Sequence, residues 1–263
     1  MTTPRTQTRR HPDSASVTML PYNREGEIDY ASLEFDPDDP EKPDAMEQHP
    51  EQREIMNLLS SRFTEFDQRP DVFLDYDSFI CYDQSDLNVR VSPDVYLVFG
   101  VDARAIRPRR LYLPWEVGKP PDWALEIGSS TTGREDVDRK PAIYARIGVT
   151  EYWRFDPTGG RYHGEPLYGG LLVDGEYQPV ELTTAPDGIL KGYSPVLGLS
   201  LCWDEGWPQF YDPSTRRYLE TAQEVWTARA EAETQRDAEA AARAEAEAEV
   251  RRLREQLRRQ QQG

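Results

Sequence analysis

The segment that most constrains this fold is DWALEIGSSTTGREDVDRKPAIYARIGVTEYWRFDP, residues 122–157. It begins with an apolar run, Trp123–Ile127, in which Glu126 is the one charged residue. Such a run predicts a buried strand, and the loop, helix and second strand that follow predict a strand-helix-strand unit. A carboxylate buried in a strand is costly unless a partner compensates it. We therefore expect a cation near Glu126, and Lys140 in the helix is the nearby candidate.

Proline and glycine predict the limits of that helix. Pro141 has no amide hydrogen and is tolerated only in the first helical turn. Asp138 is therefore the expected N-cap, and Gly148 is the expected end. These limits place Lys140 near the helix N-terminus and Tyr144 one turn later on the same face.

A second carboxylate lies upstream in the run VSPDVYLVF. Because Pro93 cannot donate to a sheet ladder, it predicts a strand that starts at Asp94. If the two strands pair, Asp94 and Glu126 share one end of a sheet. Two carboxylates and the carbonyl of Ile127 would suit Mg²⁺, with Mn²⁺ as an alternative, since these ions prefer oxygen ligands. In phosphodiester hydrolysis such an ion activates water, and Lys140 would orient that water and balance charge. The alternative interpretation is a purely structural ion pair between Glu126 and Lys140.

The N-terminal part predicts an arm followed by a helix. Residues 1–47 are acidic and rich in proline, so we expect a disordered arm. Apolar residues then recur at helical spacing over residues 50–66. Glu51 and Glu54 lie in the first turn, where they favour the positive helix end. One of them would otherwise lend a further ligand or base to the site.

The C-terminal part predicts hairpins and then a long helix. Turn signals divide residues 158–220 into short strands. Residues 221–262 contain neither glycine nor proline and are rich in Ala, Glu, Arg and Gln, which favours one helix. Ala246, Val250, Leu253 and Leu257 are spaced 4-3-4 along it, which falls short of a full coiled-coil pattern. Homo-oligomerisation through this helix and a lone solvated helix both remain open.

Charge and hydropathy limit the partners. The formal net charge of −17 argues against tight, indiscriminate binding to the DNA backbone. Bound cations would cancel carboxylates locally. No run approaches the roughly 18 apolar residues of a membrane span, so we expect a cytoplasmic protein without a membrane partner.

Several of these residues occur together in one known family. SPD ending at Asp94, ALEIGS around Glu126, Asp136, Lys140, Tyr144 and GVTEYW at 148–153 resemble the putative restriction endonuclease family, a branch of the PD-(D/E)XK nuclease superfamily. The resemblance covers roughly residues 48–205. In the usual superfamily pattern a lysine lies two residues after the acidic ligand, at the position of Gly128. The branch resembled carries its lysine on the following helix, as Lys140 does.

The resemblance implies an α/β fold with a central mixed sheet flanked by helices. It also implies a Mg²⁺-dependent endonuclease acting on DNA, with Asp94 and Glu126 as metal ligands. We expect a nuclease domain over residues 48–220 and a helix over 221–263. The alternative function is a catalytically inactive module of the same fold that assembles through this helix.

Overall fold

The computed structural model describes residues 50–107 and 111–261. The predicted acidic arm, residues 1–47, lies outside this part. The first half contains α1 (Pro50–Arg62), α2 (Thr64–Asp67), β1 (Val72–Tyr76), β2 (Phe79–Cys81), β3 (Arg90–Val91), β4 (Val95–Phe99), α3 (Ala103–Ile106), β5 (Leu111–Tyr112), α4 (Pro114–Val117) and β6 (Trp123–Ile127). The second half contains α5 (Gly133–Asp138), α6 (Lys140–Ile147), β7 (Glu151–Phe155), β8 (Leu167–Val173), β9 (Glu176–Pro179), β10 (Leu182–Thr184), β11 (Leu190–Ser194), β12 (Leu199–Asp204), β13 (Trp207–Asp212), β14 (Arg217–Tyr218) and α7 (Ala222–Gln261).

A six-stranded mixed sheet forms the centre, in the order β1-β4-β6-β7-β8-β9. Strands β6 and β7 are parallel, whereas the other neighbours in this sheet are antiparallel. A parallel pair needs a crossover connection, and α5 and α6 provide it. The expected α/β fold with a central mixed sheet and a long C-terminal helix is confirmed.

The two faces of this sheet bury different sets of side chains. Along β6, Trp123 and Leu125 pack in one core cluster with residues of α1 and of the five-stranded sheet. Ala124 packs on the opposite face with Tyr144 of α6 and Tyr152 of β7. Because side chains alternate along a strand, the residue after Leu125 turns towards α6. That residue is Glu126.

The crossover differs from the expected loop and single helix. Residues 133–138 form α5, and α6 begins separately at Lys140 with Arg139 as its N-cap. The prediction of Asp138 as the N-cap was therefore wrong, although Pro141 does lie at the start of α6. Gly148 ends the helix in the left-handed conformation, with φ of 92°, which glycine adopts without steric cost.

The remaining elements surround this centre. The predicted helix over residues 50–66 is divided at Phe63 into α1 and α2. Strands β10 to β14 form a five-stranded antiparallel sheet, and β3, β2 and β5 form a small third sheet. Helix α7 follows as the expected long helix. No helix within residues 50–107 and 111–261 is long and apolar enough to cross a bilayer.

Candidate active site

The two predicted acidic ligands lie on neighbouring strands. Val95 of β4 pairs with Leu125 of β6 in antiparallel register. One step further along the ladder, Asp94 therefore stands opposite Glu126. The Asp94 Oδ2 atom accepts a hydrogen bond of 2.6 Å from the backbone N–H of Ile127, which fixes this carboxylate at the end of β6.

Lys140 brings the expected cation to these strands. Its Nζ atom lies 2.9 Å from Glu126 Oε2 and 3.0 Å from Asp136 Oδ1. Asp136 lies four residues before Lys140, on α5, and its carboxylate meets the ammonium across the break between α5 and α6. The Lys140 side chain is 12% exposed, whereas those of Glu126 and Asp136 are fully buried or nearly so. Lys140 is thus the partly open member of a buried ion cluster.

Tyr144 completes the environment of Glu126. It lies one turn after Lys140 on α6, and its hydroxyl donates a hydrogen bond of 2.5 Å to Glu126 Oε1. The ring is fully buried and packs against Tyr152, with 5.1 Å between the ring centroids. Each oxygen of Glu126 therefore has one partner, an ammonium on one side and a phenol on the other.

The electrostatics of the cluster keep Lys140 charged. Burial raises the pKa of Asp94 to about 6 and that of Glu126 well above its usual value, while Lys140 opposes both shifts. Burial acts the same way on Asp136, but Lys140 and His163 outweigh it and lower that pKa. Burial alone would lower the pKa of Lys140, yet the three carboxylates raise it. The three carboxylates therefore favour the charged form of Lys140.

Helix α1 reaches the cluster through a residue that sequence reasoning did not select. The Gln52 amide Nε2 donates a hydrogen bond of 3.2 Å to Asp94 Oδ1. Glu54 is exposed, and two residues along a helix turn it about 200° away from Gln52. The structure therefore does not bring Glu54 to the site. The side chain of Glu51 lies outside the described part, so its predicted role stays a prediction.

Asp136, one of the residues of the family resemblance, and His163 were not predicted as site residues. Asp136 stands four residues before Lys140, and this spacing is a signal that could have found it. His163 lies in the loop of residues 156–166, and its Nε2 is 3.1 Å from Asp136 Oδ2. No sequence signal connects it to Lys140, because the contact depends on how the loop folds back.

The surroundings of Gly128 leave little room for a side chain at the position where the usual superfamily pattern has a lysine. A Cβ atom there would lie 3.2 Å from His163 Cε1 and 3.3 Å from Asp156 Cγ. The space beside β6 is thus filled by the imidazole. The cation instead arrives from α6, at Lys140.

Some of the oxygen atoms in this cluster are of the kind that binds a small, hard cation. Asp94 and Glu126 offer carboxylate oxygens, which Mg²⁺ prefers, and this ion keeps several waters when one or two carboxylates bind it. Within residues 50–107 and 111–261, no cluster of three or more His, Cys, Asp or Glu side chains has the arrangement of a metal site. Among these side chains, a metal here would thus rely on the carboxylates of Asp94 and Glu126, with water and backbone carbonyls as the other ligands. The predicted Glu126–Lys140 ion pair is present in the same place.

The partly exposed side of the cluster lies just before the first residue of β4. Ser92 and Asp94 are half-buried, and Lys140 Nζ lies 3.4 Å from the Ser92 carbonyl oxygen.

The Ile127 side chain is buried in the core on the opposite face of the sheet. Its carbonyl as a metal ligand stays a prediction.

Comparisons with known proteins gave a structural match and a family match. A crystal structure of a putative nuclease from Anabaena variabilis, belonging to DUF820, is similar over 53% of this chain and 74% of that one. The sequence identity is 14% and the TM-score is 0.38. A search of curated proteins found no match. The model of the Uma2 family, described as putative restriction endonuclease, matches residues 33–201. This range is more than half of the 263 residues, and the chain belongs to the Uma2 family.

Proposed function

We propose that this chain is a metal-dependent nuclease that hydrolyses phosphodiester bonds of DNA. In this proposal Asp94 and Glu126 bind Mg²⁺ or Mn²⁺, the Ile127 carbonyl adds a ligand, and Lys140 is the catalytic cation. The nuclease domain comprises residues 48–220. We also propose that the protein acts in the cytoplasm.

The observation that carries the proposal is the position of the Lys140 ammonium. It lies between Glu126 and Asp136 and is 12% exposed, close to the point where Asp94 precedes β4. In a low-dielectric site the Lys140 ammonium, together with a divalent cation bound by the carboxylates, would attract a phosphate strongly and offset the negative charge of the carboxylates. Family membership supports a nuclease role independently of this geometry.

The residues divide the chemistry between them. A bound divalent cation would polarise a phosphoryl oxygen and lower the pKa of attacking water. Lys140 stays protonated, so it orients the attacking water and offsets the negative charge that develops on the phosphate. The Asp136 carboxylate forms a second ion pair with the Lys140 ammonium, and the Tyr144 hydroxyl holds Glu126 in place by its hydrogen bond. Asp94 is held by Gln52 and by the N–H of Ile127.

A cleavage assay tests this proposal. Supercoiled plasmid, single-stranded DNA and RNA are incubated with the protein and Mg²⁺ or Mn²⁺, and then with a chelator. We expect cleavage of DNA that the chelator stops. Glu126→Ala and Lys140→Ala should abolish it, and Glu126→Ala should keep the fold because Lys140 still pairs with Asp136.

The matched control is Lys191→Ala. Lys191 lies on β11 in the five-stranded sheet, where it stacks over Tyr211 at 5.0 Å from the ring centroid. This variant should cleave like the wild type. Cleavage that survives Glu126→Ala would refute the assignment of the site.

A second candidate function is an assembly module that works through α7. The helix is 40 residues long and leaves large apolar side chains in water, with Trp226 74%, Leu253 50% and Val250 46% exposed. Apolar surface of this kind favours association. Sedimentation of the full chain, together with the cleavage assay, distinguishes the two candidate functions. An assembly module self-associates and does not cleave DNA.

A further inference from the structure

A histidine behind the ion cluster takes part in its geometry. His163 is 4% exposed and belongs to the loop of residues 156–166, between β7 and β8. The Asp156 carboxylate holds this loop by accepting the backbone N–H groups of Thr158, Tyr162 and His163 at 2.6–2.9 Å. The loop therefore presents the imidazole from a fixed backbone.

Two glycines let this loop approach the crossover closely. A Cβ atom at Gly133, the first residue of α5, would lie 2.8 Å from Tyr162 Cβ. A Cβ atom at Gly128 would lie 3.2 Å from the His163 ring. The loop thus packs against β6 on one side and α5 on the other, and the imidazole has little room to move.

The hydrogen bond to Asp136 determines the role of each ring nitrogen. The carboxylate of Asp136 accepts, so His163 Nε2 donates across 3.1 Å. His163 Nδ1 is buried and has no hydrogen-bond partner among the described residues. A neutral ring with its hydrogen on Nε2 carries only a lone pair at Nδ1, so no N–H group is left unsatisfied.

A chain of contacts then leads to the proposed metal ligand. His163 holds one oxygen of Asp136, the other oxygen of Asp136 holds Lys140, and Lys140 contacts Glu126. Without the first contact, the Asp136 carboxylate could rotate away from Lys140. The ammonium would then be held by Glu126 and the Ser92 carbonyl.

We propose that His163 is a positioning residue, whose imidazole fixes Asp136 and thereby holds the Lys140 ammonium beside Glu126. This inference rests on the proposed nuclease function. It also connects two features of the sequence: Gly128 leaves the space that His163 fills, and the α5 carboxylate that His163 holds contacts the Lys140 cation at the start of α6. An outer hydrogen-bond partner of this kind typically changes activity by roughly 10- to 100-fold.

The test compares two substitutions of similar size. His163→Gln keeps an N–H donor at about the position of Nε2, whereas His163→Met does not. We expect His163→Met to lower kcat on DNA roughly 10- to 100-fold while KM stays within about twofold. His163→Gln should recover most of the activity. If His163→Met does not fold, His163→Asn replaces it, because its shorter amide does not reach Asp136.

A second measurement does not depend on cleavage. Acylation of lysines in the native protein is followed by mass spectrometry, with Lys119 as the internal reference because it is ion-paired with Asp122. We expect Lys140 to react several-fold faster in His163→Met than in the wild type, and at the wild-type rate in His163→Gln.

The outcomes separate the two proposals. A wild-type protein that cleaves nothing would refute the nuclease function, while the acylation rates would still decide the role of His163. Equal values for the Met and Gln variants, in kcat and in acylation rate, would overturn the positioning role. The ring's volume and not its N–H donor would then be what matters.

Discussion

The Lys140 ammonium lies 2.9 Å from Glu126 Oε2, although the two residues come from a helix and from the strand before it. Both side chains are largely removed from water. Removing one partner of a buried ion pair destabilises a protein much more than removing both, because the charge that remains is buried without compensation.

Replacing Lys140 alone should therefore destabilise the fold. We expect Lys140→Met to lower the free energy of unfolding by about 3–5 kcal/mol, measured by urea denaturation. The double variant Lys140→Met with Glu126→Gln should lose clearly less, since no unpaired carboxylate then remains at that position. Equal losses in the single and double variants would contradict the pairing.

The Tyr144 hydroxyl should contribute through its hydrogen bond to Glu126. Tyr144→Phe removes this donor and keeps the ring, and a bond to a charged group contributes about 1.5–3 kcal/mol. We expect a loss of that order in unfolding free energy and a reduced rate of DNA cleavage. The control is Tyr112→Phe, whose hydroxyl bonds to the Lys119 carbonyl away from the site; it should leave cleavage unchanged.

Gly128 should not tolerate a side chain while His163 is present. The imidazole and the Asp156 carboxylate leave contacts of 3.2–3.3 Å to an added Cβ, and overpacking of this kind costs about 1–3 kcal/mol. Gly128→Ala should therefore lower the melting temperature in the wild type and lower it less in the His163→Ala background. The same loss in both backgrounds would show that the ring is not the obstacle. Gly128→Lys should destabilise further and should not replace Lys140 in cleavage.

Asp156 should make the fold sensitive to acid. Burial would raise the pKa of its carboxyl, but hydrogen bonds from Thr158, His163 and Tyr162 outweigh burial and lower it below the usual 3.8. A lowered pKa in the folded state means that the stabilisation is complete above pH 3.8 and is lost as the pH falls through the lowered value. We expect Asp156→Asn to cost about 1.5–3 kcal/mol at pH 7 and less in strong acid. Urea denaturation at several pH values measures this; a loss independent of pH would contradict it.

The apolar side chains of α7 should determine self-association. Val250→Glu together with Leu253→Glu places charges on the apolar stripe, and we expect any oligomer to dissociate in sedimentation experiments. The control Ala248→Glu adds a charge about 200° away around the helix from Val250 and should not change the mass. An oligomer that survives the double substitution would place the interface elsewhere.

Local pattern was sufficient to predict much of the architecture. The strand-helix-strand unit is defined by the apolar run at Trp123–Ile127, by Pro141 near the start of α6 and by Gly148 at its end. The apolar run favours a buried strand, and the proline and the glycine restrict the local backbone, so all three signals can be recognised without tertiary contacts. The absence of glycine and proline from residues 221–262 likewise favoured the long helix. The strand and helix pattern predicted that Asp94, Glu126 and Lys140 lie together, and the family resemblance gave the same group.

The sequence by itself determined which charged residues are buried in the core. A carboxylate within an apolar strand is buried with that strand, and it then needs a compensating partner. The tertiary structure decided which partners it received. Asp136, Gln52 and His163 reach the site through a helix face, a second helix and a loop that folds back onto Gly128. These contacts depend on long-range packing, and side chains distant along the chain meet only when the sheet has positioned them.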